Sequence, residues 1–190
     1  MTHNAWHGEL VSLRGIEPTD WTVFRDIWVD TETAQRQWLV QLPRGDAAIR
    51  KWAEERALAT AGRDSDDWHG IIEDAAGQPA GEIMAVNCNR RDGVFDYGVG
   101  LLSAARGRGY AFDAARVLLR HYFEERRYDK TQCAVADFNE QSLRLQRRLG
   151  FQEEGRRRAA FFTGGESFGE VLFGITAGEF AAIHGRTVLQ

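Results

Sequence analysis

Cysteine, proline and lysine are scarce in this chain: two, three and two residues among 190. Cys88 and Cys133 are too few for a disulfide framework, and each lies in an apolar, strand-like run. They read as buried, reduced thiols, which makes a cytoplasmic location the expectation. Three prolines leave no Pro-rich linker, and no repeat or low-complexity tract interrupts the sequence. Long apolar runs are missing too. The longest stretch without Asp, Glu, Lys or Arg is nine residues, Tyr97 to Ala105, whereas a membrane-spanning helix needs about 20. The opening, Met1 to Leu13, lacks the basic start and apolar centre of a secretion signal. Lysine is replaced throughout by arginine, 22 against 2. Fixed guanidinium charge suits phosphate binding, but a bias this general marks base composition and carries little functional weight.

What is present is ordinary for a globular protein. Hydrophobic residues make up 43% and charged residues 27%, which excludes the disordered and fibrous classes. The length fits a single domain, since one core usually serves ~100–200 residues. A net charge of −4, spread along the chain, argues against nucleic acid or an acidic membrane as the main partner. The basic pieces Arg147-Arg148 and Arg156-Arg157-Arg158 do not change this, because strand alternation turns the middle arginine of the triplet away from its neighbours.

Periodicity predicts an opening strand over Glu9–Ile16, then a helix start at Glu17-Pro18-Thr19-Asp20 with Trp21, Phe24, Ile27 and Trp28 at helical spacing. A second helix is predicted from Asp46 to Thr60. Strands follow over Trp68–Asp74, Ala80–Cys88 and Val94–Leu102, joined by Gly-containing turns as an antiparallel meander. From Gly109 to Arg126, Ala111, Ala114, Ala115, Leu118, Leu119 and Tyr122 define one apolar helical face. Thr131–Ala136 reads as a short buried strand. Asn139 then caps a helix ending at Gly150, and strands over Phe151–Phe161 and Phe168–Ile175 close the chain. The expected class is α/β in the α+β sense, with one mixed sheet and flanking helices.

The segment Leu101-Leu102-Ser103-Ala104-Ala105-Arg106-Gly107-Arg108-Gly109-Tyr110-Ala111 joins an apolar strand to the long helix. Glycines allow backbone N–H groups to approach an anion, and a helix N-terminus adds partial positive charge. It is neither a Walker loop nor a Rossmann fingerprint. On its own it fits a pyrophosphate cradle and a plain tight turn equally well.

Its surroundings carry more. Arg106-x-x-Gly109-x-Ala111 matches the Arg/Gln-x-x-Gly-x-Gly/Ala signature of the GNAT N-acetyltransferases. Further on, Asn139-x-x-Ser142, Gly150-Phe151-x-x-Glu154-Gly155 and Arg158 resemble the branch that acetylates ribosomal-protein N-terminal alanines, as does Leu13-Arg14-Gly15-Ile16-Glu17-Pro18-Thr19-Asp20. The resemblance spans nearly the whole chain in order. It implies a single acetyltransferase domain over 1–190, with a mostly antiparallel mixed sheet in which two parallel strands splay around acetyl-CoA. By that resemblance Leu101 and Leu102 would pair with the pantetheine arm, and Arg106, Gly107, Arg108, Gly109, Tyr110 and Ala111 would hold the pyrophosphate. Asn139 would contact pantetheine and Ser142 the thioester sulfur. Arg144, Arg147 or Arg148 would reach the adenosine phosphate, unless that helix face is simply solvated.

Acyl transfer to an amine requires loss of a proton from nitrogen, stabilisation of the carbonyl oxygen, and a partner for the departing thiolate. The family uses direct attack, and neither cysteine stands beside an activating base, so an acetyl-cysteine route through Cys133 is not expected. Many members carry a tyrosine seven residues after the Asn; here that residue is Gln146. Ser142 is then the expected partner of the sulfur, with a capping hydroxyl as the simpler reading. The ribosomal branch has a glutamate where Phe161 stands, which tilts the acceptor towards a small amine over a protein N-terminus. Asp96, on the strand feeding the loop, is the first candidate for the base. Glu82 comes second, also as an acceptor-binding residue, and a water chain is a third option. Trp28 and Trp38 are expected to wall the acceptor pocket or to serve as core. The five histidines show no metal-site spacing, so acetyl-CoA is the one cofactor expected. A non-catalytic acyl-CoA-binding module is the alternative. A homodimer, common in relatives, would use the terminal strands with Phe168, Leu172 and Phe173.

Overall fold

A seven-stranded mixed sheet forms the centre of the computed structural model, which describes residues 4–36, 40, 42–59 and 65–186. Its strands are β1 (Val11–Gly15), β2 (Trp68–Asp74), β3 (Pro79–Asn89), β4 (Val94–Leu101), β5 (Lys130–Ala136), β6 (Gln152–Thr163) and β7 (Glu166–Thr176). They lie in the order β1-β2-β3-β4-β5-β7-β6. The first four pair antiparallel. Their turns follow from sequence: Gly77 and Gly93 take φ of 73° and 66°, a region that glycine enters without steric cost.

The long helix α4 (Tyr110–Glu124) crosses from β4 to β5 and makes these two strands parallel. On α4, Ala114, Ala115, Leu118, Leu119 and Tyr122 are buried, the face that the 3.6-residue period predicted. Asp113, in its first turn, is buried and accepts the N–H groups of Leu10 and Val11 at 2.7 and 3.1 Å. That carboxylate ties the N-terminal segment to the helix that carries the loop.

The two faces of the sheet have separate cores. Ile71 and Ile72 are adjacent in β2 and therefore point to opposite sides. Ile72 joins Phe95, Tyr97, Leu118 and Leu119 beneath α4. Ile71 joins Val23, Phe24, Ile27 and Ile49, from α1 (Trp21–Val29) and α3 (Asp46–Leu58). Helix α2 (Thr31–Arg36) follows α1, α5 (Glu140–Leu149) follows β5, and α6 (Ala177–His184) closes the described chain.

Several expectations need correction. The first strand is shorter than predicted, and β6 and β7 extend further, through Thr163 and from Glu166, because a two-glycine turn at Gly164-Gly165 lets the hairpin pair to its tip. Helices α2 and α6 were not anticipated; α2 contains one apolar residue and no periodic face, whereas α6 carries a readable Thr176/Glu179 capping box. Phe173 is 1% exposed and belongs to the core, so it cannot serve a surface contact.

Candidate active site

Strands β4 and β5 are paired only at Val94↔Lys130, Phe95↔Thr131 and Asp96↔Gln132. Beyond that point β5 stays on β7 through Ala136↔Glu170 while β4 stays on β3, so the facing edges of Tyr97–Leu101 and Cys133–Ala136 separate. The gap is a cavity of about 730 Å³. Its floor is unpaired strand backbone, able to bond an extended amide-containing chain as an added strand would.

One end of the cavity is the predicted loop. After Leu101 comes a 3-10 turn at Ser103–Ala105, then Arg106, Gly107 and Gly109. Gly107 and Gly109 have φ of 76° and 83°, where an L residue is strained. A Cβ at Gly107 would meet nothing within 4 Å; one at Gly109 would come 3.1 Å from Leu10 Cδ1. Gly109 is the N-cap of α4, and no side chain caps that end. The first-turn N–H groups, which have no acceptor inside the helix, open beside Gly109, Tyr110 and Ala111 into the cavity. Uncapped donors, the helix dipole and open space at Gly107 fit a pyrophosphate.

Leu102, expected along the pantetheine arm, and Arg108, expected in the cradle, are both off the cavity lining. Leu102 donates its N–H to the Ala80 carbonyl at 3.0 Å and accepts from Ala105 N–H at 2.9 Å, so both of its backbone groups are engaged. Arg108 is exposed and off the lining, whereas Arg106 is on it.

Helix α5 borders the gap. Asn139 Oδ1 accepts Ser142 N–H at 3.2 Å, the predicted cap, and both residues line the cavity. So do Arg144 and Arg148, the latter with its guanidinium 4.2 Å over the Phe112 ring; Arg147 does not. Gln146, one turn beyond Ser142, is 3% exposed and accepts the Tyr97 O–H through Oε1 at 2.5 Å. Cys133 also faces the cavity. Burial, with a smaller push from Asp96, holds its thiol well above the usual thiol range, so it is not a thiolate nucleophile. Cys133→Ala should therefore leave turnover within about threefold of the parent, the result expected of a route with no covalent step at this sulfur. Accumulation of acetylated Cys133 in intact-protein mass spectra would contradict this.

The other wall comes from the α1/α3 side. Ile71 is directly opposite Glu82, and His69 opposite Met84, so these four share one face of β2 and β3. Glu82 is 3% exposed yet lines the cavity, and its Oε2 lies 2.7 Å from His69 Nε2. The His69 ring sits edge-on to Phe24 and Trp52, with centroids 5.6 and 5.9 Å apart. Trp28 packs behind them, 5.0 Å from Trp52 and beneath the Arg44 guanidinium, and does not reach the cavity. Trp38 lies outside the described residues.

Asp96 is placed differently from expectation. It occupies the last paired position of β4, accepts the Asn87 Nδ2–H at 2.7 Å, and is not on the cavity lining. Glu82 faces Gly100 and Asp96 faces Val86, a separation of four residues, or roughly 13 Å along the strand. Sequence reasoning missed His69 and Tyr97. The alternation His69-x-Ile71 gave a weak signal for the first; nothing local signalled the second.

A splayed parallel pair, an uncapped helix N-terminus with two left-handed glycines, and a buried carboxylate on one wall form a site able to hold a phosphate-bearing chain with a carboxylate beside it. A family model described as an acetyltransferase (GNAT) domain matches residues 11–152, and the chain belongs to that family as an acyltransferase. It is 32% identical over 180 residues to the SPbeta prophage-derived uncharacterized N-acetyltransferase YokL of Bacillus subtilis (strain 168), covering 95% of this chain and 97% of that one. Among solved structures, the fold is similar to that of spermidine N-acetyltransferase from Vibrio cholerae in complex with CoA and spermine. The TM-score is 0.79 at 18% identity, over 90% of this chain and 97% of that one. It is also similar to a GNAT-family acetyltransferase from Bacillus anthracis, with a TM-score of 0.75 at 17% identity, over 91% and 98% of the two chains. The likeness establishes the family and leaves the branch within it unassigned. The non-catalytic alternative finds no support in it.

Proposed function

We propose that the protein transfers the acetyl group of acetyl-CoA to the primary amine of a small molecule by direct attack. The observation that carries this reading is Glu82, buried on the wall of the cavity that begins at the phosphate cradle, with His69 Nε2 2.7 Å from its Oε2. A buried carboxylate with one polar partner, opening on a cleft, is costly to maintain and is the pattern expected of a proton acceptor. The acidic side chain on this wall favours a cationic guest. In the Vibrio cholerae neighbour, CoA and spermine are bound together, which supports an amine of the polyamine type as the first class to test.

Acetyl-CoA supplies an activated carbonyl and a thiol leaving group. The α4 N-terminus and Gly107 hold its pyrophosphate, and the free edge of β4 from Val99 to Leu101 orients the pantetheine amides. Glu82 removes one proton from the acceptor ammonium. The nitrogen lone pair then forms the N–C bond, the C–S bond breaks with its electron pair passing to sulfur, and the second amine proton neutralises the thiolate. Ser142 borders the sulfur's end of the cavity as a hydroxyl donor. The two unpaired thiols suit a reducing, cytoplasmic setting.

A thiol-release assay with polyamines, aminoglycosides, amino-acid amides and Ala/Ser-starting peptides tests the reading. Turnover is expected with one of the small-amine classes and not with peptides. Turnover confined to peptides would overturn the small-molecule acceptor, and absence of acetyl-CoA binding in calorimetry would overturn the whole scheme.

A further inference from the structure

The parted strands begin at a particular pair of side chains. Asp96↔Gln132 is the last parallel contact, and the next residues, Tyr97 and Cys133, are the first on the open edges. Tyr97 is 5% exposed, with its ring 5.4 Å from Phe151 and its hydroxyl on Gln146 Oε1. Ser142 and Gln146 are four residues apart on α5 and so share one helical face, and both line the cavity. Tyr97, Cys133 and Gln146 thus lie toward the closed end, away from the phosphate cradle, with Ser142 one helical turn away along α5. Resting on the acetyl transfer proposed above, a thioester whose pyrophosphate lies on α4 brings its sulfur to this end.

A departing thiolate there needs a donor. Cys133 is a weak one, and an aliphatic hydroxyl such as Ser142 is a less acidic O–H than a phenol. In the resemblance drawn from sequence, many relatives carry a tyrosine where this chain has Gln146. We propose that Tyr97 fills this role from the strand instead of the helix: its O–H turns from Gln146 Oε1 to the leaving sulfur, and Gln146 acts as the positioning residue that aims it. As the C–S bond breaks and its electron pair moves to sulfur, the phenol donates a hydrogen bond and keeps its own proton. Burial holds the Tyr97 phenol well above its ordinary value, so it is a neutral donor throughout the working range.

The test combines Tyr97→Phe, fluorotyrosine at position 97, and Gln146→Leu. Tyr97→Phe should lower kcat about 10- to 100-fold, the loss expected for one preorganised donor, with acetyl-CoA affinity by calorimetry unchanged within threefold. Rates with mono- and difluorotyrosine should change in order of phenol acidity, which a packing role would not produce. Gln146→Leu should lower kcat without raising KM for acetyl-CoA. Slow hydrolysis of acetyl-CoA without any amine shares the C–S cleavage, and Tyr97→Phe should depress it by the same factor. That arm separates this proposal from the acceptor assignment: hydrolysis depressed with no amine turned over keeps Tyr97 and removes the acceptor reading. Tyr97→Phe with both rates within threefold of the parent, or equal rates across the fluorotyrosine series, would overturn it.

Discussion

Gly109→Glu should abolish measurable acetyl-CoA binding, a loss of at least about 10³-fold by titration calorimetry, while the protein still unfolds cooperatively on heating. Two effects combine. Any side chain at φ of 83° is strained, and its Cβ would lie 3.1 Å from Leu10 Cδ1, a cost of about 1–2 kcal/mol borne by the fold. The carboxylate would also stand at the uncapped α4 N-terminus, where the pyrophosphate is expected. Like charges about 5 Å apart repel by roughly 3 kcal/mol at an effective dielectric near 20, and the glutamate would compete for the same first-turn N–H groups. Gly107→Ala is the contrast. Its φ is 76°, but the space at its Cβ is open, so backbone strain alone should weaken binding only several-fold. Micromolar affinity retained in Gly109→Glu would remove the cradle from this loop.

These effects are large because the cradle is local in sequence, and that is why it was legible. A strand that stops, two glycines and an amphipathic helix lie within twenty-five residues, and each feature has its own propensity. Leu102 escaped the same reasoning, since its N–H is consumed by Ala80 in β3, a partner fixed by strand register. The candidate proton acceptor was harder still. Asp96 and Glu82 both point to the α1/α3 face of the sheet, and only the place where β4 leaves β5 tells which one reaches the cavity. That place depends on pairings between segments 36 residues apart, which leave no mark in hydrophobic alternation. The aromatic residues were visible as a group near the first helices, yet nothing in their spacing distinguished Trp52, against His69, from Trp28, packed behind it. The Tyr97–Gln146 contact joins residues 49 apart and has no local signature.

Glu82→Gln should lower kcat/KM for the acceptor by about 10²–10⁴, the range for loss of a general base, with acetyl-CoA affinity unchanged. Glutamine keeps the size of glutamate and can still bond His69 Nε2, so the side chain at 3% exposure remains packed and paired. What it loses is the ability to accept a proton. The variant would then depend on amine already deprotonated in solution, and its rate should climb about tenfold per pH unit until the amine's own ionisation is complete. The deficit should therefore be greatest near neutrality and shrink in alkaline buffer, a pattern that misfolding or weaker binding would not give. His69→Gln should fall between parent and Glu82→Gln, because it removes the partner that aims the carboxylate while leaving the carboxylate in place. Asp96→Asn should stay within about threefold, since Asp96 bonds Asn87 away from the cavity lining. A loss confined to Asp96→Asn, with Glu82→Gln near the parent rate, would return the proton to the strand end and leave Glu82 as a binding group. A carboxylate at 3% exposure with His69 as its partner is costly to maintain. Stable folding of Glu82→Gln, with melting temperature equal to or above the parent's, would show that the charge is kept for chemistry and not for the fold.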